Sequence, residues 1–238
     1  MRPNYFIFLF FVFIICASTY AQKATLDIRF FDSRDSTDFI TMTGIVVFKN
    51  GKCFIEFDHN KKLTELDTGL YTINYKTIFN ITRSVNIRIV DFKDYSLNLE
   101  ANFFDYNKEH FKPIIDRLKN NESYEIEIQH QGCAPNRGYN HLIKIWKVNE
   151  KVFGNLFMYG TYSLDSIHYK DTITKELNTS DINAIRCFEM ELNHMTSGSC
   201  TLTTDYIISY KNKKKEIADG NCMWNGILYL SDKIWNVK

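Results

Sequence analysis

The side chains best suited to chemistry lie in the second half of the chain, where histidines and cysteines occur close together. His130 and Cys133 stand three positions apart, and His141 follows shortly after them. Imidazole and thiolate both bind zinc, so these residues could be metal ligands. Their spacing, however, is not that of a closed zinc site. We therefore predict a histidine at a strand end and a disulfide cysteine here, and no metal ligands.

A thiol nucleophile is the second chemistry that these residue types could supply. The candidate pairs are Cys133 with His141, and Cys200 with His194. Thiol catalysis requires an exposed cysteine that ionises readily and a base within hydrogen-bonding reach, whereas an oxidising compartment favours disulfides. The sequence also contains no Gly-rich phosphate loop, no G-x-S-x-G elbow and no H-E-x-x-H pair. We therefore predict no catalytic residue and no cofactor.

The chain begins with a pattern typical of a cleavable signal peptide. Arg2 supplies a positive charge, residues 5–16 form an unbroken apolar run, and small or polar residues follow as far as Ala21. The apolar run is shorter than the roughly 20 residues that a membrane-spanning helix needs. We expect residues 1–21 to be removed, the mature chain to begin at Gln22 without a transmembrane segment, and the protein to be secreted or periplasmic.

Charge and composition disfavour nucleic-acid binding and disorder. Cleavage removes Arg2 from the 29 basic residues, which leaves 28 basic and 28 acidic side chains in the mature chain. Binding to nucleic acid needs a basic excess or a basic face, and the one basic cluster, residues 211–215, is better explained as an exposed hairpin turn. Hydrophobic residues make up 45% of the chain and aromatic residues 15%, so substantial cores are expected.

The first half of the mature chain shows the two-residue period of β-strands. Apolar residues alternate with polar ones in six short segments up to residue 104, among them Leu26–Phe30 and Cys53–Phe57. The dipeptide Asn50-Gly51 separates two of these segments and favours a two-residue hairpin turn. Six closely spaced strands with little helical signal predict an antiparallel β-sandwich domain over residues 22–104.

One segment of this half resembles a known domain family. Residues 66–73, LDTGLYTI, resemble the L-x-x-G-x-Y-x-I/L strand start of carboxypeptidase-regulatory-like, transthyretin-like sandwich domains. The resemblance extends loosely over residues 24–104 and implies that Gly69 allows a turn and that Tyr71 covers one end of the core. It also implies a structural or adhesive module, since such domains lack catalytic residues of their own.

Residues 105–122 differ from both flanking regions, because charged and Asn-rich stretches surround one short apolar pattern. Ile114, Ile115 and Leu118 share a helical face with Phe111, and Pro113 suits the first turn of such a helix. We predict a linker that contains one short helix.

The remainder, residues 123–238, mixes strand and helix periods. Alternation predicts strands at residues 124–128, 141–148, 151–159, 201–210 and 216–219, with a turn at Asn149-Glu150. Helical spacing predicts a helix over about residues 181–195, capped by Thr179 or Ser180 and ended by Gly198, and a final helix over residues 227–235. The acidic segment 165–181 lacks the ligand pattern of a calcium loop and is predicted to be an exposed loop and the start of the following helix. These features predict a small α+β domain with an antiparallel sheet and two to three helices.

The cysteines predict at least one disulfide in an exported chain. Cys53 alternates with buried residues in the first half, so we predict a buried free thiol there. Cys200 and Cys222 flank a predicted hairpin. Residues that face each other in an antiparallel hairpin have residue numbers with a constant sum. The sum for this pair is 422, which centres the turn on residue 211, where the basic cluster begins, and brings the two cysteines together. Cys133 would then pair with Cys187 by elimination, although sequence alone does not determine the connectivity.

Three tryptophans could line a carbohydrate or peptide surface, but residue type favours core packing for Trp146, Trp224 and Trp235.

These features together predict an exported, non-catalytic binding or structural protein with an unidentified protein or carbohydrate ligand. One alternative is an exported hydrolase or metal-dependent enzyme whose site lies in the second domain and uses His130, His141 or His194. A secreted protein inhibitor is the other alternative, since it fits a small disulfide-bridged domain equally well.

Overall fold

The structure is a computed structural model that describes residues 23–131, 139–163, 166–195, 203–220 and 224–237. In these ranges the chain is mostly β, with fourteen strands in three sheets and three helices. The predicted signal peptide, residues 1–21, and Gln22 lie outside the described residues. None of the helices formed by the described residues is long and apolar enough to cross a membrane.

The chain forms two compact units. The first contains residues 23–76 and 82–101, and the second contains residues 77–81 and everything described from Asn102 onward. Residues 105–122, predicted as a linker, belong to the second unit.

The described part of the first unit contains eight strands in two four-stranded sheets. The strands are β1 (Ala24–Asp32), β2 (Asp35–Phe39), β3 (Ile45–Lys49), β4 (Lys52–Phe57), β5 (Lys61–Leu66), β6 (Gly69–Lys76), β7 (Thr82–Ile89) and β8 (Asp94–Glu100). In one sheet β1 pairs with β2, β5 and β8; the other sheet has the order β4-β3-β6-β7. The expectation of purely antiparallel pairing is wrong at one place, because β1 and β8 run parallel.

Strands β2 and β5 of this unit were not predicted, and the reason is visible in β5. Its buried residues, Leu63 and Leu66, are three positions apart rather than two. Glu65 between them has a positive φ of 59°, and the register against β1 shifts at the same place, between the partners of Ala24 and Leu26. Such a bulge adds a residue to one strand and therefore breaks the two-residue period.

A second bulge corrects the prediction for Cys53. Val47 pairs with Ile55, but the next residue, Phe48, pairs with Cys53, so Phe54 is an extra residue in β4. The alternation that places Ile55 and Phe57 toward the core therefore does not continue to Cys53. The Cys53 thiol is exposed rather than buried. The hairpin turn just before β4 is confirmed, because Asn50 and Gly51 have the positive φ values, 49° and 78°, of a two-residue turn.

The described part of the second unit contains one six-stranded sheet of order β12-β11-β10-β9-β13-β14, together with three helices. Its elements are α1 (Ile114–Arg117), β9 (Ser123–Gln131), β10 (Tyr139–Val148), β11 (Lys151–Ser163), β12 (Ser166–Glu176), α2 (Thr179–Leu192), β13 (Thr203–Tyr210), β14 (Lys213–Asp219) and α3 (Gly226–Trp235). The predicted strands and both longer helices are present. The exposed loop expected in segment 165–181 is wrong, because Ser166–Glu176 pairs with β11 as an edge strand. The helix start expected at the end of that segment is present, since α2 begins at Thr179.

Helix α2 begins two residues earlier than predicted, and its cap differs from the prediction. The Asn178 side chain accepts a hydrogen bond of 3.0 Å from the backbone N–H of Asp181, whose carboxylate accepts one of 3.0 Å from the backbone N–H of Asn178. This reciprocal pair satisfies two N–H groups that a helix start leaves free. Thr179 and Ser180 are therefore the first helical residues rather than the cap, and Gly198 lies outside the described residues.

The core of the second unit combines alternate residues of the sheet with the apolar stripes of the helices. Strands β9, β10 and β13 supply buried residues at every second position, as in Tyr124, Ile126 and Ile128. Helix α2 contributes Ile185 and Phe188 to the same cluster. The sheet and helices are therefore joined by one continuous apolar core.

Candidate functional site

The two strand histidines that could act as ligands lie side by side. His130 on β9 and His141 on β10 have ring centroids 5.6 Å apart, with the rings nearly perpendicular at 86°. Nδ1 of His130 is 3.1 Å from Oγ1 of Thr204 on β13. His141 is only 8% exposed, and its buried Nδ1 has no hydrogen-bond partner among the residues that the structure describes.

Burial makes both imidazoles harder to protonate. It lowers the pKa of His130, and burial together with repulsion from His130 lowers the pKa of His141 to about 4. Across the described part of the chain, no three His, Cys, Asp or Glu side chains converge closely enough to hold a metal ion. Cys133, the third residue singled out with these histidines, lies outside the described residues.

A second group of ionisable residues, which was not predicted from the sequence, is built on helix α2. Glu189 is 2% exposed and accepts hydrogen bonds from the Tyr124 hydroxyl at 2.5 Å, from the backbone N–H of Ile114 and from that of Ile115 at 3.4 Å. Burial, only partly offset by these donors, raises the pKa of Glu189 to about 7. The helical spacing from Ile185 to Glu189, four positions, was the signal that this glutamate lies on the buried stripe.

Glu191 is another buried carboxylate of this helix, which also buries Asp181. Its oxygens accept hydrogen bonds from the Tyr106 hydroxyl and from the indole Nε1 of Trp224 at 2.7 Å. The Trp224 ring in turn stacks on Phe188, with centroids 5.4 Å apart and an interplanar angle of 21°. The half-buried Cys187 lies near Tyr106 and Glu191, and burial raises the pKa of its thiol.

His194 follows the end of helix α2 and pairs with an acid that is distant in sequence. Its Nε2 contacts the Glu109 carboxylate, and its ring meets Phe104 edge to face at 5.1 Å. Phe104 also packs on Phe79 at 5.1 Å, so this imidazole belongs to the margin of the core. Cys200, the thiol considered as its partner, lies outside the described residues.

The tryptophans divide into two buried residues and one at the surface of the sheet. Trp224 and Trp235 are each 5% exposed and belong to the core, as predicted. Trp146 is half-buried and stacks on its cross-strand neighbour Phe153, with centroids 5.6 Å apart and an interplanar angle of 16°. Core packing therefore explains two of the three.

The predicted disulfides involve residues outside the described ranges. Cys133, Cys200 and Cys222 all lie outside them, whereas Cys187 is described and carries a free thiol. The hairpin that motivated the Cys200–Cys222 bridge is present, with a turn at Lys211-Asn212, but its register differs by one residue from the prediction: paired residues such as Thr204 and Asp219 sum to 423 rather than 422. The Cys200–Cys222 bridge itself stays a prediction, whereas the pairing of Cys133 with Cys187 is not formed in this structure, where the Cys187 thiol is free.

Comparison with known proteins does not assign this chain to a family. No protein-family model matches it, and no curated protein matches its sequence. Among solved structures, a streptococcal ancillary pilin is similar with a TM-score of 0.27 and 7% sequence identity, over 68% of this chain and 60% of the pilin chain. The chain thus spans less than two thirds of the length of that pilin, and a TM-score this low does not establish a shared fold.

Proposed function

We propose that this chain is an exported, non-catalytic structural or binding protein, composed of a β-sandwich module and a disulfide-stabilised α+β domain. The observation that carries the proposal is the use of the buried carboxylates. Glu189 and Glu191 each accept hydrogen bonds from two or more donors of the surrounding fold. A catalytic acid or base must present an oxygen to its substrate, whereas these oxygens join the helix to neighbouring segments.

The geometry of the first unit supports the sandwich module. Phe30 on β1 and Tyr75 on β6 belong to different sheets, and their rings meet edge to face with centroids 5.1 Å apart. The Tyr75 hydroxyl also donates a 3.2 Å hydrogen bond to the carbonyl of Glu100 on β8, across the same gap. Contacts of this kind between two sheets are those expected of a sandwich. The resemblance of residues 66–73 to transthyretin-like domains agrees with this proposal.

Export rests on the leader pattern of residues 1–21 and is tested first. Mass spectrometry of the protein recovered outside the cytoplasm should give a mature N-terminus at Gln22. An intact N-terminus, or recovery of the protein from the cytosol alone, would contradict export.

The absence of catalysis is tested separately on the purified mature chain. A panel of hydrolase substrates should show no turnover that depends on the candidate residues. Glu189→Gln and Glu191→Gln should change stability only. Turnover that disappears when Glu189, Glu191, His194 or Cys187 is replaced would overturn the proposal, and the wild type purified in parallel serves as the reference.

A further inference from the structure

The buried, unpartnered nitrogen of His141 needs an explanation, and its neighbour His130 supplies one. A buried polar atom without a hydrogen bond is destabilising and uncommon in native proteins. Within the described part of the chain His141 Nδ1 is such an atom, and the imidazole of His130 packs edge to face against the His141 ring. We propose that His130 and His141 together bind a divalent transition-metal ion, one imidazole nitrogen from each ring entering its coordination sphere.

The distance between the two rings fits a shared ion. Two imidazoles that each bind a metal at about 2.1 Å, at an angle between tetrahedral and trigonal, have centroids roughly 5 to 5.5 Å apart. The observed separation of His130 and His141 is 5.6 Å. The separation of the rings is therefore compatible with a shared ion, provided that the rings turn so that one nitrogen of each faces it.

Thr204 provides the outer support that metal-binding histidines normally have. Its Oγ1 lies 3.1 Å from Nδ1 of His130, which orients the ring and leaves Nε2 for the ion. Histidine ligands commonly bond a second group through the other ring nitrogen in this way. His130 is half-buried rather than buried, so the ion can enter from its side of the pair.

The ligand chemistry selects the class of ion. Imidazole nitrogens suit copper, nickel and zinc, whereas calcium and magnesium prefer oxygen ligands. With two protein ligands, water would complete the coordination sphere. Among these ions Cu²⁺ is expected to bind most tightly, because affinity for nitrogen sites peaks at copper along the divalent series.

Titration of Cu²⁺ and Zn²⁺ into the full mature chain, purified without a polyhistidine tag and stripped of metal, tests the proposal. Calorimetry should give one ion per chain, and the electron paramagnetic resonance spectrum of the Cu²⁺ form should show splitting from two nitrogens. His130→Gln and His141→Gln should each remove the two-nitrogen pattern. Thr204→Val should keep the pattern and weaken binding by roughly tenfold, as the loss of outer-sphere support does elsewhere.

Matched variants separate this site from other ligands on the protein. His59→Gln and His110→Gln replace exposed histidines, and Cys53→Ser removes an exposed thiol; all three should bind as the wild type does. His130→Gln carries the test if the buried His141→Gln variant fails to fold by circular dichroism. The proposal is overturned if the wild type takes up no stoichiometric ion, if His130→Gln binds unchanged, or if the Cu²⁺ spectrum shows a sulfur ligand.

Discussion

The hydroxyl of Tyr124 donates a hydrogen bond of 2.5 Å to Oε1 of Glu189, and neither side chain is more than 2% exposed. The two residues are 65 positions apart, so their bond joins strand β9 to helix α2. The same carboxylate accepts the backbone N–H groups of Ile114 and Ile115. One buried glutamate thus links the sheet, the long helix and the start of α1.

The burial of Glu189 makes stability depend on pH. Because burial raises its pKa from 4.5 to about 7, the folded protein keeps a proton there that the unfolded chain releases between these values. The free energy of unfolding contributed by this group should therefore fall as the pH rises through that window and then level off. A shift of this size corresponds to about 3 kcal/mol. Glu189→Gln removes the titration. The difference in the free energy of unfolding between wild type and Glu189→Gln, measured by urea unfolding, should therefore change by about this amount between pH 4.5 and pH 7.5.

A surface glutamate provides the control for this experiment. Glu150 lies in an exposed turn, and Glu150→Gln should follow the wild-type curve across the same pH range. A difference between wild type and Glu189→Gln that stays constant with pH would show that Glu189 ionises normally in the folded protein.

Gly226 should resist replacement by alanine even though it lies in a helix. A Cβ there would overlap the indole of Trp224, which is held by its bond to Glu191 and its stacking on Phe188. In an exposed helix, Gly→Ala is favourable by about 1 kcal/mol. Here we expect a net destabilisation of about 1–3 kcal/mol from overpacking, measured by urea unfolding followed by tryptophan fluorescence.

The same helix offers a tolerant position for comparison. Leu228 is 58% exposed, so Leu228→Ala should change the free energy of unfolding by less than about 0.5 kcal/mol. Equal stability of Gly226→Ala and the wild type would mean that the Trp224 ring can move aside freely.

The sequence predicts the fold where one face of an element is buried, and fails where pairing is irregular. Strand β9 is apparent from Tyr124, Ile126 and Ile128 because alternate residues enter the core. Edge strand β12 is not, since its sequence, SIHYKDTITKE, is largely polar. Cys53 was misplaced because a bulge is a property of two strands together, and one strand's residue pattern does not contain it.

The candidate sites are harder to predict because their partners are distant in sequence. The contact of His194 with Glu109 spans 85 positions, and no local pattern indicates it. His130 and His141, by contrast, lie on two predicted strands that pair antiparallel in the structure, so their proximity follows from the register. Sequence patterns thus find contacts within a hairpin more readily than contacts between a helix and a loop.

The cysteines should differ in their reactivity toward iodoacetamide. Cys53 is exposed and should be alkylated first, whereas Cys187 is half-buried with a raised pKa and should react slowly, because the thiolate is the reactive form. We expect Cys200 and Cys222 to resist alkylation until reduction, since they lie three residues beyond Thr203 and Asp219 at the two ends of the β13–β14 hairpin.

Mass spectrometry of a non-reduced digest measures all of these cysteines at once. Recovery of Cys200 and Cys222 as alkylated peptides without reduction would remove the proposed bridge. If the bridge forms, Cys200→Ser should lower the free energy of unfolding by about 3 kcal/mol under non-reducing conditions. Cys53→Ser is the matched control, because its thiol is exposed and unpaired, and it should leave stability nearly unchanged.

The turn between β10 and β11 should become more stable when its second residue is glycine. Glu150 has a φ of 63° there, a conformation that costs a residue with a Cβ about 1–2 kcal/mol and glycine almost nothing. Glycine loses more entropy on folding, so we expect Glu150→Gly to be stabilising by about 0.5–1 kcal/mol. The lost ion pair with Lys147 is exposed on the Glu150 side and therefore contributes little. Glu150→Ala removes the same carboxylate but keeps the Cβ, so it should show no gain in thermal unfolding. Gly51 occupies the corresponding position of the Asn50-Gly51 turn, so Gly51→Ala should be destabilising. If Glu150→Gly and Glu150→Ala unfold at the same temperature, backbone conformation does not limit the stability of the turn between β10 and β11.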